Sequence, residues 1–242
     1  MLLALDTSTL TVALALVDGQ GRVLEALQEG PPRQQSAMLP ALVGEVLSRH
    51  GLTGRQLSGL VVGVGPGSFT GLRIGLGTLK GLAYAWERPL QGVSSLAALA
   101  LEGPLDTELF AATPVKKGEL YLGRYRRHGE HGLTALEPET WLPLAGFAQA
   151  LAARPQARML GPAVAEYRER LLALGVTPEQ LLAGPQVPSA VALAHLAQPP
   201  GAYDALAVFA LEPRYLRGSG AEDNPKFPPL PGAPPTARLK ED

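Results

Sequence analysis

The chain contains no cysteine among its 242 residues. Disulfide frameworks, thiolate zinc sites and cysteine nucleophiles are therefore excluded, and a metal site would need histidine or carboxylate ligands. Aromatic residues make up 5% and charged residues 18% of the chain, whereas 46% of it is hydrophobic. A chain of this length and composition can bury a sizeable core, so disorder is excluded for most of it.

A charge excess of one sign is also missing. The 21 Lys and Arg residues nearly cancel the 22 Asp and Glu residues, which leaves a formal net charge of −1. Without a general positive field, a stand-alone nucleic-acid binder is disfavoured. No apolar run approaches the roughly 18 residues of a membrane span, and the first residues lack the pattern of a signal peptide. We therefore expect a cytoplasmic protein without membrane contact.

The first half of the chain has the pattern of a mixed α/β lobe. Apolar runs at 2–5, 11–17 and 22–27 are separated by turn residues, which predicts three antiparallel strands. Apolar residues at helical spacing then predict a helix that ends near His50, followed by alternating strands and helices up to residue 102. The order βββαβαβα is that of a ribonuclease H-like lobe, the building block of the two-lobed actin-like (ASKHA) fold.

The second half repeats this pattern more weakly. Strands are predicted at 109–113, 120–127 and 157–160, and helices at 144–153 and 163–174.

The sequence therefore predicts an N-terminal lobe at 1–103, a C-terminal lobe at 104–217, and a tail at 218–242. Six prolines lie in that tail between Pro225 and Pro235. They favour a solvated, polyproline-like segment, with a proline-motif ligand as the alternative.

The most informative segment is the glycine-rich string GVGPGSFTGLRIG at 63–75. Its glycines lie between a predicted strand and a predicted helix, where phosphate-binding loops are found. However, no Gly-Lys-Ser/Thr follows, Pro66 interrupts the turn, and no acidic residue stands at the spacing of a dinucleotide site. An actin-like ATPase or small-molecule kinase that uses Asp6 and the loop at 65–71 is kept as the alternative reading.

Four glycines lie inside the helix predicted at 70–87: Gly71, Gly75, Gly77 and Gly81. Each costs the helix about 1 kcal/mol relative to alanine, so their presence requires a cause. At about 100° per residue, Gly71, Gly75, Thr78 and Gly81 share one arc of roughly 120°. This smooth arc favours close packing, either against another helix of the same chain or against a partner.

Asp6 ends the first predicted strand, where actin-like proteins place an acidic residue that organises a metal-bound nucleotide. The local alternative is an Asx turn with Thr7 and Ser8 that tightens the hairpin. The matching strand of the second lobe, near Thr113, has no acidic residue before Glu119. This absence counts against nucleotide hydrolysis.

Other candidate sites are weaker. His128 and His131 stand in a glycine-containing turn, which favours a solvated loop over a zinc site. Ser68 has no recognisable base and no nucleophile elbow surrounds it. The basic cluster at 116–128 is predicted to be a solvated hairpin face and not an RNA site. We therefore predict no catalytic residue and no metal site.

The strings LALDTS at 3–8 and GPGSFTGLRIG at 65–75 together resemble the TsaB (YeaZ) family, bacterial proteins needed to place threonylcarbamoyl on adenosine 37 of tRNA. GVSSL at 92–96, GELY at 118–121 and EPRYLR at 212–217 match as well. One departure is ATPVKK at 112–117, where the family usually carries an Ile-Asp-Ala-Arg-like string.

The resemblance implies a non-catalytic scaffold and activator subunit. Such a subunit pairs with a TsaD-like catalytic subunit through the glycine-bearing helix at 70–87, which is then the dimerisation helix of the N-terminal lobe. A TsaE-like ATPase joins this pair, and the subunit also forms a homodimer through the same helix. It holds no cofactor of its own, because ATP and Mg²⁺ are used through the partner subunits, and it meets tRNA only through the complex. A metallopeptidase, suggested by old glycoprotease naming, is disfavoured because the metal-ligand set is missing.

The resemblance also assigns candidate site residues. The partner interface is expected to contain Gly67, Phe69, Thr70, Gly71, Arg73, Ile74, Gly75, Thr78, Gly81 and Leu82. Asp6, Thr7 and Ser8 are candidates for a vestigial nucleotide site. Gly75→Leu is accordingly expected to abolish pairing while sparing the monomer.

Overall fold

The β-strands of the protein form two separate sheets in a computed structural model that describes residues 1–30 and 35–216. The predicted tail at 218–242 lies outside the described residues. The first sheet has the strand order β3-β2-β1-β4-β5. Its strands are β1 (Leu2–Asp6), β2 (Val12–Val17), β3 (Val23–Glu29), β4 (Gly59–Gly63) and β5 (Leu90–Val93).

Helices cover both faces of this first sheet, and the residue pattern of β1 and β2 shows why. Leu14 and Leu16 pack with helices α1 (Gln35–Arg49) and α2 (Phe69–Trp86), whereas Ala13 and Ala15 point to the other face. A strand buried on both faces is apolar throughout, with no polar alternation. Large side chains therefore fill one face, and small side chains let elements approach closely on the other.

The second sheet has the order β8-β7-β6-β9 and repeats the core of the first. Its strands are β6 (Glu108–Pro114), β7 (Glu119–His128), β8 (Gly132–Pro143) and β9 (Arg158–Leu160). β6 pairs antiparallel with β7 and parallel with β9, as β1 does with β2 and β4. An isolated parallel bridge between Met159 and Leu181 stands in the position of β5. The two-lobed actin-like fold predicted from the sequence is confirmed.

Helix α3 (Ser95–Leu101) joins the two lobes. Leu96 and Leu99 are buried in one cluster with Leu109, Tyr125 and Leu160 of the second sheet. Helices α4 (Leu144–Ala152) and α5 (Pro162–Ala173) cover the second sheet around the fully buried Phe147. Ala98 and Leu101 of α3 are buried in a cluster with the first sheet, so α3 contributes to the packing of both lobes.

The last described segment returns to the first lobe. Helix α6 (Ala190–Leu196) packs its alanine-rich side on the small face of β1 and β2, next to Ala4 and Ala13. Helix α7 (Ala205–Ala210) lies beside α2. The sequence-based division placed residues 104–217 together in the second lobe, but these two helices pack on the first lobe. Helix α6 covers the small-residue face of its sheet, whereas α7 contributes Val208 to the core beside α2. No helix in the described part of the chain has the length and apolarity to span a membrane.

Candidate functional site

The glycine-rich string holds a loop of its own chain. Glycines at four-residue intervals contact the last residue of β1 and the loop that follows it: Gly63, Gly67, Gly71 and Gly75. A Cβ atom at the first of these positions would overlap the carboxylate of Asp6, at the second the backbone of Ser8, and at the last two Thr7. Only glycine leaves room for this close approach. We call these four residues the glycine cradle.

Hydrogen bonds lock the loop into the cradle. Thr7 Oγ1 donates to the carbonyl of Gly71 at 2.8 Å, and the backbone N–H of Ser68 donates to the carbonyl of Ser8 at 2.7 Å. Ser68 also caps α2, because its side chain accepts from the N–H of Gly71 at 3.2 Å. Two N–H groups at the start of this helix, where a phosphate would bind in a nucleotide site, are therefore already bonded within the chain, that of Ser68 to Ser8 and that of Gly71 to the Ser68 side chain.

Asp6 is fully buried at the centre of this arrangement. Its Oδ1 accepts from the N–H of Ser8 at 2.8 Å and from Ser8 Oγ at 2.6 Å, and its Oδ2 accepts from Ser95 Oγ at 2.6 Å. Burial raises the pKa of Asp6 above its ordinary value, against the opposing effect of these hydrogen bonds. The Asx turn weighed from the sequence is present, and the carboxyl group has no exposed surface with which to contact a ligand.

The corresponding end of the second lobe is different. There, the carbonyl of Ala112 in β6 lies against Gly161, and Thr113 is the buried polar residue that follows. Among the described residues, no group of three or more His, Cys, Asp or Glu side chains is placed to hold a metal ion. His131 was predicted to lie in a solvated loop, but its ring packs against that of His195 in α6, with the ring centroids 3.9 Å apart.

The opposite side of α2 is open. Thr70, Arg73, Gly77, Gly81 and Tyr84 follow each other at three- and four-residue spacing and are all exposed. We call this stripe the open face. A Cβ atom at either of its two glycines would meet nothing within 4 Å.

The arc predicted from the sequence therefore divides between two environments. Gly71 and Gly75 are buried against Thr7, so the expectation that Gly75→Leu spares the monomer is corrected: a side chain at Gly75 overlaps Thr7 Oγ1. Gly81 is exposed, whereas Thr78 is partly buried. Of the other candidate interface residues, Phe69, Thr70 and Arg73 are exposed, and Gly67, Ile74 and Leu82 are partly buried. The interface predicted from the sequence did not include Gly77, although its helical phase places it between Arg73 and Gly81 on the exposed side of α2.

Aromatic pairs stand at both ends of the open face. Phe69 and Tyr215 have ring centroids 5.2 Å apart, and the guanidinium of Arg73 lies 4.1 Å from the Phe69 ring. Tyr84 and Phe209 form the other pair at 5.6 Å. Phe69, Tyr84 and Phe209 are 44%, 57% and 55% exposed, so much of this aromatic surface faces solvent.

The last described residues, 204–216, run antiparallel to α2 along one edge of the open face. Lys80 Nζ donates to the carbonyl of Phe209 at 2.8 Å and lies 3.5 Å from the carboxylate of Glu212. At the other end of the helix, Arg73 Nε donates to Tyr215 Oη at 3.2 Å. The edge of the open face is thus made by a second part of the chain.

A buried carboxylate connects this edge to the second lobe. Glu139 of β8 accepts hydrogen bonds from Ser94 and Tyr125, and its Oε2 lies 3.4 Å from Nη1 of Arg214. Burial and the neighbouring Glu139 raise the pKa of Tyr125 above its ordinary value. Sequence reasoning missed Glu139, because β8 has no clear apolar alternation that would have predicted a strand.

Comparisons with known proteins agree with this architecture. A family model described as "TsaD: tRNA N6-adenosine threonylcarbamoyltransferase" matches residues 31–153. The tRNA threonylcarbamoyladenosine biosynthesis protein TsaB of Escherichia coli is 36% identical over 149 residues, which cover 57% of this chain and 63% of that protein. The TsaB protein of Bacillus subtilis is 33% identical over 126 residues, or 52% of this chain and 55% of that protein.

Structural similarity extends over most of the chain. The structure titled "YeaZ from Pseudomonas aeruginosa" superposes with a TM-score of 0.72 at 30% identity, and the match covers 89% of this chain and 99% of that one. The fold and the matched region define an actin-like protein related to the tRNA N6-adenosine threonylcarbamoyltransferases. The chain belongs to the TsaB (YeaZ) family, as its motifs predicted. It spans 55–63% of the length of these two curated relatives.

Proposed function

We propose that this protein is a subunit of the machinery that forms threonylcarbamoyladenosine at position 37 of tRNA. Its curated relatives are named for the biosynthesis of this nucleoside, and the family model that it matches is named for the transferase. In this proposal the chain pairs with a TsaD-like catalytic subunit, and a TsaE-like ATPase joins the pair.

The observation that carries a non-catalytic role is the filled glycine cradle. Asp6, the residue that an actin-like ATPase or kinase would use, is fully buried and hydrogen bonded to Ser8 and Ser95. A nucleotide phosphate that used the N–H groups of Ser68 and Gly71 would have to break their hydrogen bonds to Ser8 and to the Ser68 side chain. In this proposal ATP and Mg²⁺ therefore belong to the partner subunits, and this chain contributes its surface. With a net charge of −1, it meets tRNA through the complex.

The open face of α2 is the surface best suited to pairing. Gly71 and Gly75 are explained by contact with Thr7, but Gly77 and Gly81 contact nothing in the described chain. Each of these two costs the helix about 1 kcal/mol relative to alanine without any benefit to the monomer. The close approach of a second backbone would explain why these two positions are glycine, because small residues at a helix surface permit such an approach. The same face would serve a TsaD-like subunit and a second copy of this chain.

Substitution at Gly77 tests this proposal. Gly77→Gln adds a flexible, uncharged side chain in open space, and glutamine is the better helix former, so the thermal unfolding temperature of the monomer should stay the same or rise. Binding to the TsaD-like subunit and self-association should both weaken at least tenfold in sedimentation, and modification of tRNA in a reconstituted assay should fall with them.

Gly146→Gln is the matched control, because Gly146 is an exposed glycine in α4 with nothing within 4 Å. This variant should leave pairing and modification unchanged. Unaltered partner binding in Gly77→Gln would contradict the assignment of the pairing surface.

A separate measurement tests the absence of catalysis. The purified chain alone should hydrolyse ATP no faster than background, because its buried carboxyl group is inaccessible. Hydrolysis by the lone chain that is lost in Asp6→Asn but kept in Gly146→Gln would contradict the non-catalytic role.

A further inference from the structure

Arg214 is a residue at which the last described segment contacts both lobes. Its backbone N–H donates to the carbonyl of Val64 at 2.8 Å, directly after β4 of the first sheet. Its guanidinium reaches the second sheet, where Nη1 lies 3.4 Å from Oε2 of Glu139 in β8. The first lobe therefore holds the main chain at this position, and the second lobe holds the side chain.

Glu139 is itself fixed at the boundary between the lobes. Its side chain is 7% exposed, and its Oε1 accepts hydrogen bonds from Ser94 Oγ and Tyr125 Oη. Ser94 stands directly before α3, and Tyr125 is buried with that helix in one apolar cluster. A carboxylate removed from water needs hydrogen-bond donors and an opposite charge, and Arg214 supplies the positive charge at the second oxygen.

The segment that contains Arg214 makes one edge of the open face. Tyr215 packs against Phe69 at the start of α2, with ring centroids 5.2 Å apart, and Phe209 packs against Tyr84 near its end at 5.6 Å. Tyr215 is 45% and Phe209 55% exposed, so a partner on the open face would lie beside both rings. A shift of this segment therefore changes the shape of the surface that is offered to a partner.

We propose that Glu139 is a positioning residue for the open face, because it makes the placement of residues 204–216 on α2 depend on the second lobe. A movement of β8 away from the first lobe separates Oε2 of Glu139 from Nη1 of Arg214, and the segment then keeps only its contacts with the first lobe. The effect on pairing rests on the proposed function, whereas the placement of the segment is a property of the chain alone.

Hydrogen exchange in the monomer tests this placement. Glu139→Gln keeps a carbonyl oxygen that accepts from Ser94 and Tyr125, but it removes the negative charge that faces Arg214. Because local opening governs exchange, residues 206–216 should exchange their N–H protons at least fivefold faster, whereas α5 of the second lobe should keep its rate. Unchanged exchange at 206–216 would overturn the proposal.

A second variant separates the ion pair from the packing around Glu139. Arg214→Gln removes the same pair but leaves Glu139 with its two other donors, so it should accelerate exchange at 206–216 to a similar extent. Arg214→Lys keeps the charge and should restore slower exchange. The matched control is Arg49→Gln, which breaks an arginine–glutamate pair between α1 and β3 within the first lobe. Equal acceleration in this control would overturn the specific role of Glu139.

Sedimentation of the same variants tests the effect on pairing. Glu139→Gln and Arg214→Gln should each weaken self-association at least threefold, and the double variant should lose no more than either single variant, because both remove one interaction. If Gly77→Gln weakens pairing and Glu139→Gln does not, the positioning role is overturned and the proposed function stands. If Gly77→Gln leaves pairing intact while Glu139→Gln accelerates exchange, the placement holds and the proposed pairing surface does not.

Discussion

Two pairs of glycines on one helix have opposite surroundings. Gly71 and Gly75 are buried against Thr7, and any side chain there would collide with the loop that follows β1. Gly77 and Gly81 face open space and contact no other part of the described chain. The first pair is required by the fold of the monomer, whereas the second pair is not. The number of glycines in a helix therefore says less about their role than the side of the helix on which each one lies.

Gly75→Leu should have the largest effect on the buried pair. The leucine side chain would displace Thr7 and separate the loop from α2, so the free energy of unfolding should fall by about 3 kcal/mol. Urea unfolding of the monomer measures this loss. Gly77→Leu is the control on the same helix and should leave the free energy of unfolding unchanged or raise it by up to about 1 kcal/mol, because its side chain meets nothing within 4 Å and leucine is the better helix former. Similar losses in the two variants would erase the distinction between the pairs.

The cause of that loss can be tested at Thr7. Its Oγ1 and Cγ2 are the atoms that a Cβ at Gly75 would meet. Gly75→Ala should therefore destabilise the wild-type chain more than it destabilises a Thr7→Ala chain, with a coupling energy on the order of 1 kcal/mol. Strict additivity in the double-mutant cycle would indicate that the strain lies elsewhere.

Asp6→Ala should have the next largest effect on the buried side. It leaves the hydroxyl groups of Ser8 and Ser95 and the N–H of Ser8 without their acceptor, so the free energy of unfolding should fall by about 2 kcal/mol. Asp6→Asn keeps one acceptor oxygen and should lose less. The same urea titrations give both values. An Asp6→Ala variant with an unchanged free energy of unfolding would show that the carboxyl group does not hold the loop.

The pH dependence of stability should also distinguish Asp6 from an exposed carboxylate. Burial raises the pKa of Asp6 in the folded protein, so the folded state binds this proton more tightly than the unfolded state. Its contribution to stability is complete below the unfolded pKa near 3.8 and is lost as the pH rises through the folded pKa. Asp6→Asn should therefore gain stability relative to the wild type as the pH rises above about 4.

Glu25 supplies the opposite case. A hydrogen bond from Arg49 lowers its pKa, so its contribution is present above the unfolded pKa and lost as the pH falls through the folded value. Glu25→Gln should therefore lose stability relative to the wild type as the pH rises. If the stability of Asp6→Asn and of Glu25→Gln changed with pH in the same direction, this would contradict the conclusion that burial opposes the ionisation of Asp6.

Gly81→Ala should have the smallest effect and the opposite sign. Alanine is the better helix former and meets nothing within 4 Å at this position, so the monomer should gain about 0.5–1 kcal/mol. Thermal unfolding at low protein concentration measures the gain. A loss of stability would mean that Gly81 packs against part of the chain.

Much of the first lobe could be predicted from the sequence, because its signals are local. The Asp-Gly turn at 18–19 predicted the hairpin of β2 and β3, and the apolar spacing after residue 38 predicted α1. The Asx turn at Asp6 was also among the sequence-based readings. These features depend on residues within a few positions of each other.

The rest depends on contacts that no local pattern records. The spacing of Gly71 and Gly75 did not reveal that Thr7, more than sixty positions earlier, would fill the space above them. The strand β8 has no fully buried residue and lacks clear apolar alternation, which concealed Glu139. The short helix α6 could not be assigned to the first lobe, because its alanines are matched by alanines of β1 and β2.

The position of α6 bears on how the chain folds as it is made. Residues 190–196 cover one face of a sheet whose strands all lie before residue 94. On a ribosome that adds about 5–20 residues per second, this face waits on the order of ten seconds for its cover. During that interval the alanines of β1 and β2 face solvent or other nascent chains. The first lobe is therefore expected to mature only after synthesis of the second.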